Sequence, residues 1–107
     1  MSRYAHEFDR SLSDPEGFWA DAARNIDWYQ APRVVLDAAN PPFYRWFAGG
    51  TLNTCFNAVD RHVRDGRGNQ AALIYDSPVT SSQRTYTYAE LQDEVARFAG
   101  LLVTGLS

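Results

Sequence analysis

The sequence predicts an α+β fold: helices at the N-terminus, a short antiparallel β-pair, and a C-terminal helix. Three observations predict it. Ser13/Glu16 and Thr87/Glu90 have capping-box spacing, and each pair opens a run with helical apolar periodicity. Between those helices, Ala71–Tyr75 (AALIY) and Arg84–Tyr88 (RTYTY) have the length and composition of strands. The stretch from Asn40 to Arg64 joins a Pro-Pro turn, an aromatic cluster, a Gly-Gly hinge and an amphipathic helix, and the chain is organised around it.

Tyr4, Phe8 and Leu12 stand at i, i+4 and i+8, which predicts a short surface helix with charged residues between them. Ser13-Asp14-Pro15-Glu16 then starts a second helix, with Ser13 or Asp14 as cap and Pro15 suited to the first turn. That helix is expected to run to about Asp27, carrying Trp19, Ala23 and Ile26 on one side, and to end before Pro32. Val34-Val35-Leu36 is a short apolar run that suits one extended segment.

Pro41 and Pro42 fix φ and withhold two backbone donors, so no regular element passes through them. The aromatic cluster follows: Phe43, Tyr44, Trp46 and Phe47. Gly49-Gly50 re-aims the chain, and Asn53 offers a cap to the next helix. In that helix Phe56, Val59 and Val63 form one apolar stripe. Asn57, Asp60, Arg61 and Arg64 are expected away from it, with Asn57/Arg61 and Asp60/Arg64 spaced for i,i+4 contact.

Asp65-Gly66-Arg67-Gly68-Asn69 is a turn with the composition of a helix C-terminus. The continuous apolar run of AALIY predicts a strand buried on both faces, and the alternation of RTYTY a half-exposed one. Asp76–Gln83, rich in Ser and Thr, predicts a connection longer than a tight hairpin turn. The last helix carries Leu91, Val95, Phe98 and Leu102 at i, i+4, i+7 and i+11 and runs out near Thr104-Gly105. A strand, loop, strand, helix series that stops where a further strand is due predicts an unfinished domain.

A chain of 107 residues has room for one small domain. Its 45% hydrophobic and 14% aromatic content argues for a folded chain. A net charge of -3 gives no global electrostatic case for nucleic acid or an anionic membrane. No window approaches the roughly 18 to 20 apolar residues that span a bilayer, and the N-terminus lacks the apolar stretch of a signal peptide. The expected compartment is the cytoplasm or an organelle interior. All 10 basic residues are Arg, so the chain supplies no Schiff-base, phosphate-loop or general-base lysine.

No candidate outweighs its plainer reading. Trp19 and Trp46 have the rings to stack on a ligand, but their spacing suits core packing. Arg61, His62, Arg64 and Arg67 suggest an anion or nucleotide patch; cations near a helix C-terminus equally complement its macrodipole. His6 and His62 are too few for a metal set, and Gly66-Arg67-Gly68 is too short for a phosphate loop. Ser77, Ser81 and Ser82 lack a histidine at readable spacing. Cys55 is expected as a buried small hydrophobe, and Asp93 and Glu94 as solvated charge. The residues assemble no catalytic constellation, no cofactor site and no metal site.

Several motifs in order carry a resemblance. Asp14-Pro15-Glu16-Gly17-Phe18-Trp19, then Asn40-Pro41-Pro42-Phe43, then Trp46 to His62 (WFAGGTLNTCFNAVDRH) resemble the N-terminal region of AMP-forming short-chain acyl-CoA synthetases. These are the acetyl- and propionyl-CoA synthetases of the adenylate-forming superfamily. Ala72 to Thr80 (ALIYDSPVT) and Thr85 to Leu102 (TYTYAELQDEVARFAGLL) are similar to the propionyl-CoA branch in particular. The resemblance covers about Tyr4 to Leu102.

It implies a parent ligase that joins a carboxylate to ATP as an acyl-adenylate and then passes the acyl group to CoA, with magnesium at the phosphates. The family's phosphate loop, adenine-binding motif and lysine-bearing C-terminal domain have no counterpart in these residues. The matching positions Trp46, Phe47, Gly49, Gly50, Leu52, Asn53, Asn57, Asp60, Arg61 and His62 are therefore expected to be structural. The implied organisation is a helical N-terminal segment over 1–69 and the start of the AMP-binding domain over 70–107. The expected partner is the remainder of the parent enzyme, or a second copy through uncovered apolar faces. A free-standing protein-interaction module without enzymatic activity is the alternative.

Overall fold

A computed structural model describes residues 2–106. The described residues form two compact units that divide between Asn53 and Thr54. The division falls before the central helix. The helical turns of 56–67 pack on the last helix, which also packs on the β-pair.

The first unit begins with a helical hairpin, α1 (Arg3–Ser13) and α2 (Pro15–Ala23). Ser2 caps α1 by accepting from the Ala5 N–H at 3.2 Å. Asp14 resolves the choice of cap for α2: its carboxylate accepts from the Gly17 N–H at 3.1 Å, and Pro15 holds the first position. The hairpin is tied by Arg10 to Asp21 at 2.5 Å, and Arg24 reaches the same carboxylate at 2.8 Å. The hydrogen bond from Arg10 holds the Asp21 carboxyl below its ordinary value. Tyr4 and Phe8 stack on one another at 6.2 Å, but the α1 stripe they form with Leu12 stays exposed.

The expected extension of α2 to Asp27 does not occur. Arg24, Asn25 and Ile26 donate to Asp21, Ala22 and Ala23, three-residue bonds that tighten the last turn and end the helix. The Trp28 indole N–H then caps the end, donating to the Ala23 carbonyl at 2.8 Å. Trp28–Gln30 is not a helix terminus but a strand, β1.

Four short strands make two nested antiparallel pairs. Val34–Asp37 (β2) is extended as expected and pairs with Arg45–Ala48 (β3), setting Val34 opposite Ala48 and Leu36 opposite Trp46. Outside it, β1 pairs with Thr51–Leu52 (β4), Trp28 opposite Leu52. Between the pairs the ladder is interrupted where Pro32 has no N–H to give and where Gly49 takes φ +80°. The Arg33 N–H still reaches the Ala48 carbonyl at 3.0 Å.

The second unit opens with a helix wound more widely than expected. Phe56–Asp60 and Val63–Arg67 are π-helical, with the Arg61 N–H donating back to Phe56, five residues earlier. Gly66 (φ +90°) breaks the winding, as the glycine-rich turn predicts. Wide winding rotates side chains away from the faces that a 3.6-residue period assigns. Val59 is buried at 8% exposure, but so is Asn57 at 9%, contrary to the expectation that it lies off the stripe. Cys55, expected to be buried, is exposed, its thiol 3.9 Å from the Asp60 carboxylate five residues on.

The expected antiparallel pair is present as β5 (Ala71–Ser77) and β6 (Ser82–Thr87), with Leu73 opposite Tyr86 and Tyr75 opposite Arg84. β5 runs on past Tyr75 and β6 begins before Arg84, so the connection is a tight turn over 78–81, with Ser81 at φ +52°; Tyr88, expected in the strand, belongs to the helix that follows. Ser77, Thr80, Ser82 and Gln83 knit it together; the Gln83 amide donates to Asp76 at 3.0 Å. The polar residues that suggest a loop are these cross-turn partners. The β5 expectation fails in a second respect: the strand is not buried on both faces, since Leu73 and Tyr75 on one side and Ile74 on the other are all exposed, Ile74 at 73%.

Helix α3 (Tyr88–Gly105) starts with the predicted capping box. Thr87 Oγ1 accepts from the Glu90 N–H at 3.2 Å, and Glu90 accepts from the Thr87 N–H at 3.1 Å. Its first N–H groups donate to the Gln70 and Gly68 carbonyls, both at 3.0 Å. Arg97 pairs with Asp93 at 2.8 Å on the solvated side. Leu91 and Val95 are half-buried, but Phe98, Leu101, Leu102 and Leu106 are exposed.

Candidate functional site

The signature residues divide between the units, and each group does something definite within its own. In the first unit the segment Trp46–Leu52 builds an aromatic cluster. Trp19 of α2 meets Trp46 edge-on at 6.2 Å, with Phe18 edge-on to Trp19 at 5.1 Å. Phe47 lies 6.0 Å from Trp46 and 5.9 Å from Trp28. Neighbours on a strand normally point to opposite faces. Phe47 has φ +52°, which breaks that alternation and lets both rings join one cluster.

Trp19, Ala22, Ala23, Ile26, Trp28, Phe47 and Leu52 line an open, almost wholly apolar cleft of about 320 Å³. Trp19 and Trp46 were expected as core residues; they touch, yet each remains close to half exposed, because no second layer covers them. No titratable side chain lines the cleft, so it offers shape and apolar surface but no acid, base or nucleophile.

The two hinge glycines are required by their surroundings. A Cβ at Gly50 would stand 2.8 Å from the Trp28 ring and 3.1 Å from the Phe47 carbonyl. At Gly49 it would meet the Arg33 guanidinium at 2.8 Å, on a backbone already at φ +80°. Gly50→Ala is expected to displace the Trp28 ring and cost the first unit about 1–3 kcal/mol. Tryptophan fluorescence followed through thermal unfolding checks this: a shifted emission maximum with a lower midpoint is the expected outcome.

In the second unit Asp60 and His62 hold the π-helical turns to α3, and Asn57 and Arg61 bond within the turns. Asp60 accepts from the Gln92 amide at 2.8 Å, across 32 positions of sequence. Arg61 donates to the Asn57 side-chain oxygen Oδ1 at 3.4 Å, the i,i+4 contact that the spacing predicts. The His62 ring packs on Tyr88 at 4.9 Å, and Arg67 reaches its Nδ1. Arg64 pairs with Asp65 at 2.9 Å, holding that carboxyl below its ordinary value, and lies over the Phe56 ring at 5.2 Å. The arginines of this segment are thus engaged with the chain's own acids, amides and rings. Asn53 is the last residue of the first unit, directly ahead of these turns.

Among the described residues no group of three or more His, Cys, Asp or Glu side chains stands close enough to hold a metal ion. None of the helices formed by those residues is long and apolar enough to cross a membrane. Sequence reasoning missed Trp28 and Gln92. Trp28 reads locally as part of a helix end, and Gln92 has no local signal, since its role lies in a distant partner.

Residues 4–58 match the family model for the acetyl-coenzyme A synthetase N-terminus. Over 95% of its length the chain is 47% identical to human acyl-CoA synthetase short-chain family member 3, mitochondrial, and spans 15% of that protein. It is 46% identical to propionate–CoA ligase of Salmonella typhimurium, over 94% of the chain and 16% of the ligase. Acetyl-coenzyme A synthetase of Streptomyces coelicolor is 41% identical, over 92% of the chain and 15% of that enzyme. The chain therefore spans about one-sixth of the length of the curated relatives it matches. By its signature residues, and by the match over more than half its length, the chain belongs to the acetyl-coenzyme A synthetase N-terminus family.

Proposed function

We propose that the chain is the N-terminal segment of an ATP-dependent short-chain acyl-CoA synthetase. The whole enzyme would make acyl-CoA through an acyl-adenylate, with a propionate-like carboxylate as substrate. The observation that carries the reading is the sequence identity, spread over nine-tenths of this chain, to proteins named for that chemistry. The somewhat higher identity to the propionate enzyme than to the acetate enzyme supports the substrate preference.

Within such an enzyme this segment is structural. ATP, magnesium and CoA are implied for the whole protein, but the residues here do not fit any of them. There is no lysine for the phosphates, no acidic cluster for the metal among the described residues, and no titratable group in the apolar cleft. What the segment offers is apolar surface for the remainder of the enzyme, its proposed partner: the aromatic cleft, the face of β5 and the distal half of α3. The proposed compartment is the cytoplasm or an organelle interior, and a second copy of the chain is the proposed partner when the remainder is missing.

The test is turnover. The chain alone, given ATP, magnesium, CoA and propionate, is expected to release no pyrophosphate. Grafted in place of the matching segment of the Salmonella ligase, it is expected to restore propionyl-CoA formation to a deletion that lacks that segment. Acyl-adenylate formed by the isolated chain would overturn the structural assignment. A folded graft that stays inactive would favour a separate interaction module.

A further inference from the structure

We draw no further inference here: the strongest candidate, the exposed apolar stripe of α3 at Phe98, Leu101, Leu102 and Leu106, carries nothing beyond the proposed function because nothing in the structure shows what covers it.

Discussion

Replacing Leu101 and Leu102 together by serine is expected to abolish acyl-CoA formation by a full-length synthetase carrying this segment, while the isolated chain barely responds. In the chain alone the two side chains are 62% and 44% exposed, and substitutions at such sites usually fall within about 0.5 kcal/mol. In the whole enzyme the stripe would be covered, and each buried leucine lost costs about 2–5 kcal/mol. Two such losses take up much of a stability margin of roughly 5–15 kcal/mol. The measurements are thermal unfolding of the chain alone, and soluble yield with propionyl-CoA formation for the full-length protein. Equal destabilisation in both backgrounds would mean the stripe is already buried in the chain. No effect in either would mean that nothing packs on it.

Val59→Asp is expected to unfold the second unit. Val59 is the one buried hydrophobic residue among those described, and it sits in the π-helical turns that face α3. A carboxylate placed there loses its hydration, at a cost of several kcal/mol, in a unit with little other core. Released from that support, α3 is an 18-residue helix close to the length at which isolated helices are marginal in water. Far-ultraviolet circular dichroism should therefore lose helical signal. Val59→Ala, which leaves only a small cavity, should cost about 1.5–3 kcal/mol and keep the fold. A Val59→Asp protein that melts like the parent would show that the contact to α3 carries no weight.

The features legible in the sequence are those whose partners lie a few residues away. Thr87 and Glu90 form a capping box because both bonds close within one turn. Asp14 and Pro15 start α2, Gly66 breaks the central helix, and Ala71–Tyr75 pairs with Arg84–Thr87, all from local chemistry. The failures have a common physical origin in packing and winding that no local window encodes. Trp28–Gln30 is a strand only because Thr51–Leu52 lies alongside, and three residues carry no readable period. Asn57 is buried, against expectation, because π winding moves side chains off the faces an α-helical period assigns, and Cys55, just ahead of the π turns, is exposed.

Ala71–Tyr75 shows a different kind of mismatch. Its unbroken apolar run is what a strand covered on both faces requires, and in this chain Leu73 and Tyr75 on one face and Ile74 on the other are all exposed. The same holds for Phe98 and Leu102, which continue the stripe of Leu91 and Val95 past the last element that touches it. Trp19 and Trp46 likewise have core composition without core burial. The cleft of the candidate site was not legible as a cleft, because its walls come from α2, β1, β3 and β4 together. In each case the residues are suited to a more enclosed surrounding than these residues alone provide, a discrepancy consistent with the proposal of a larger enzyme around them.

Amide hydrogen exchange over α3 puts this to the most direct test, comparing the chain alone with the same residues grafted into the full-length Salmonella ligase. Amides from Phe98 to Gly105 are expected to exchange rapidly in the chain, where the distal turns have no cover, and to slow by about 100-fold or more in the ligase, the slowing that roughly 2.7 kcal/mol of added local stability produces. Equal rates in the two proteins would contradict the claim that this stripe exists to be covered by the remainder of a synthetase.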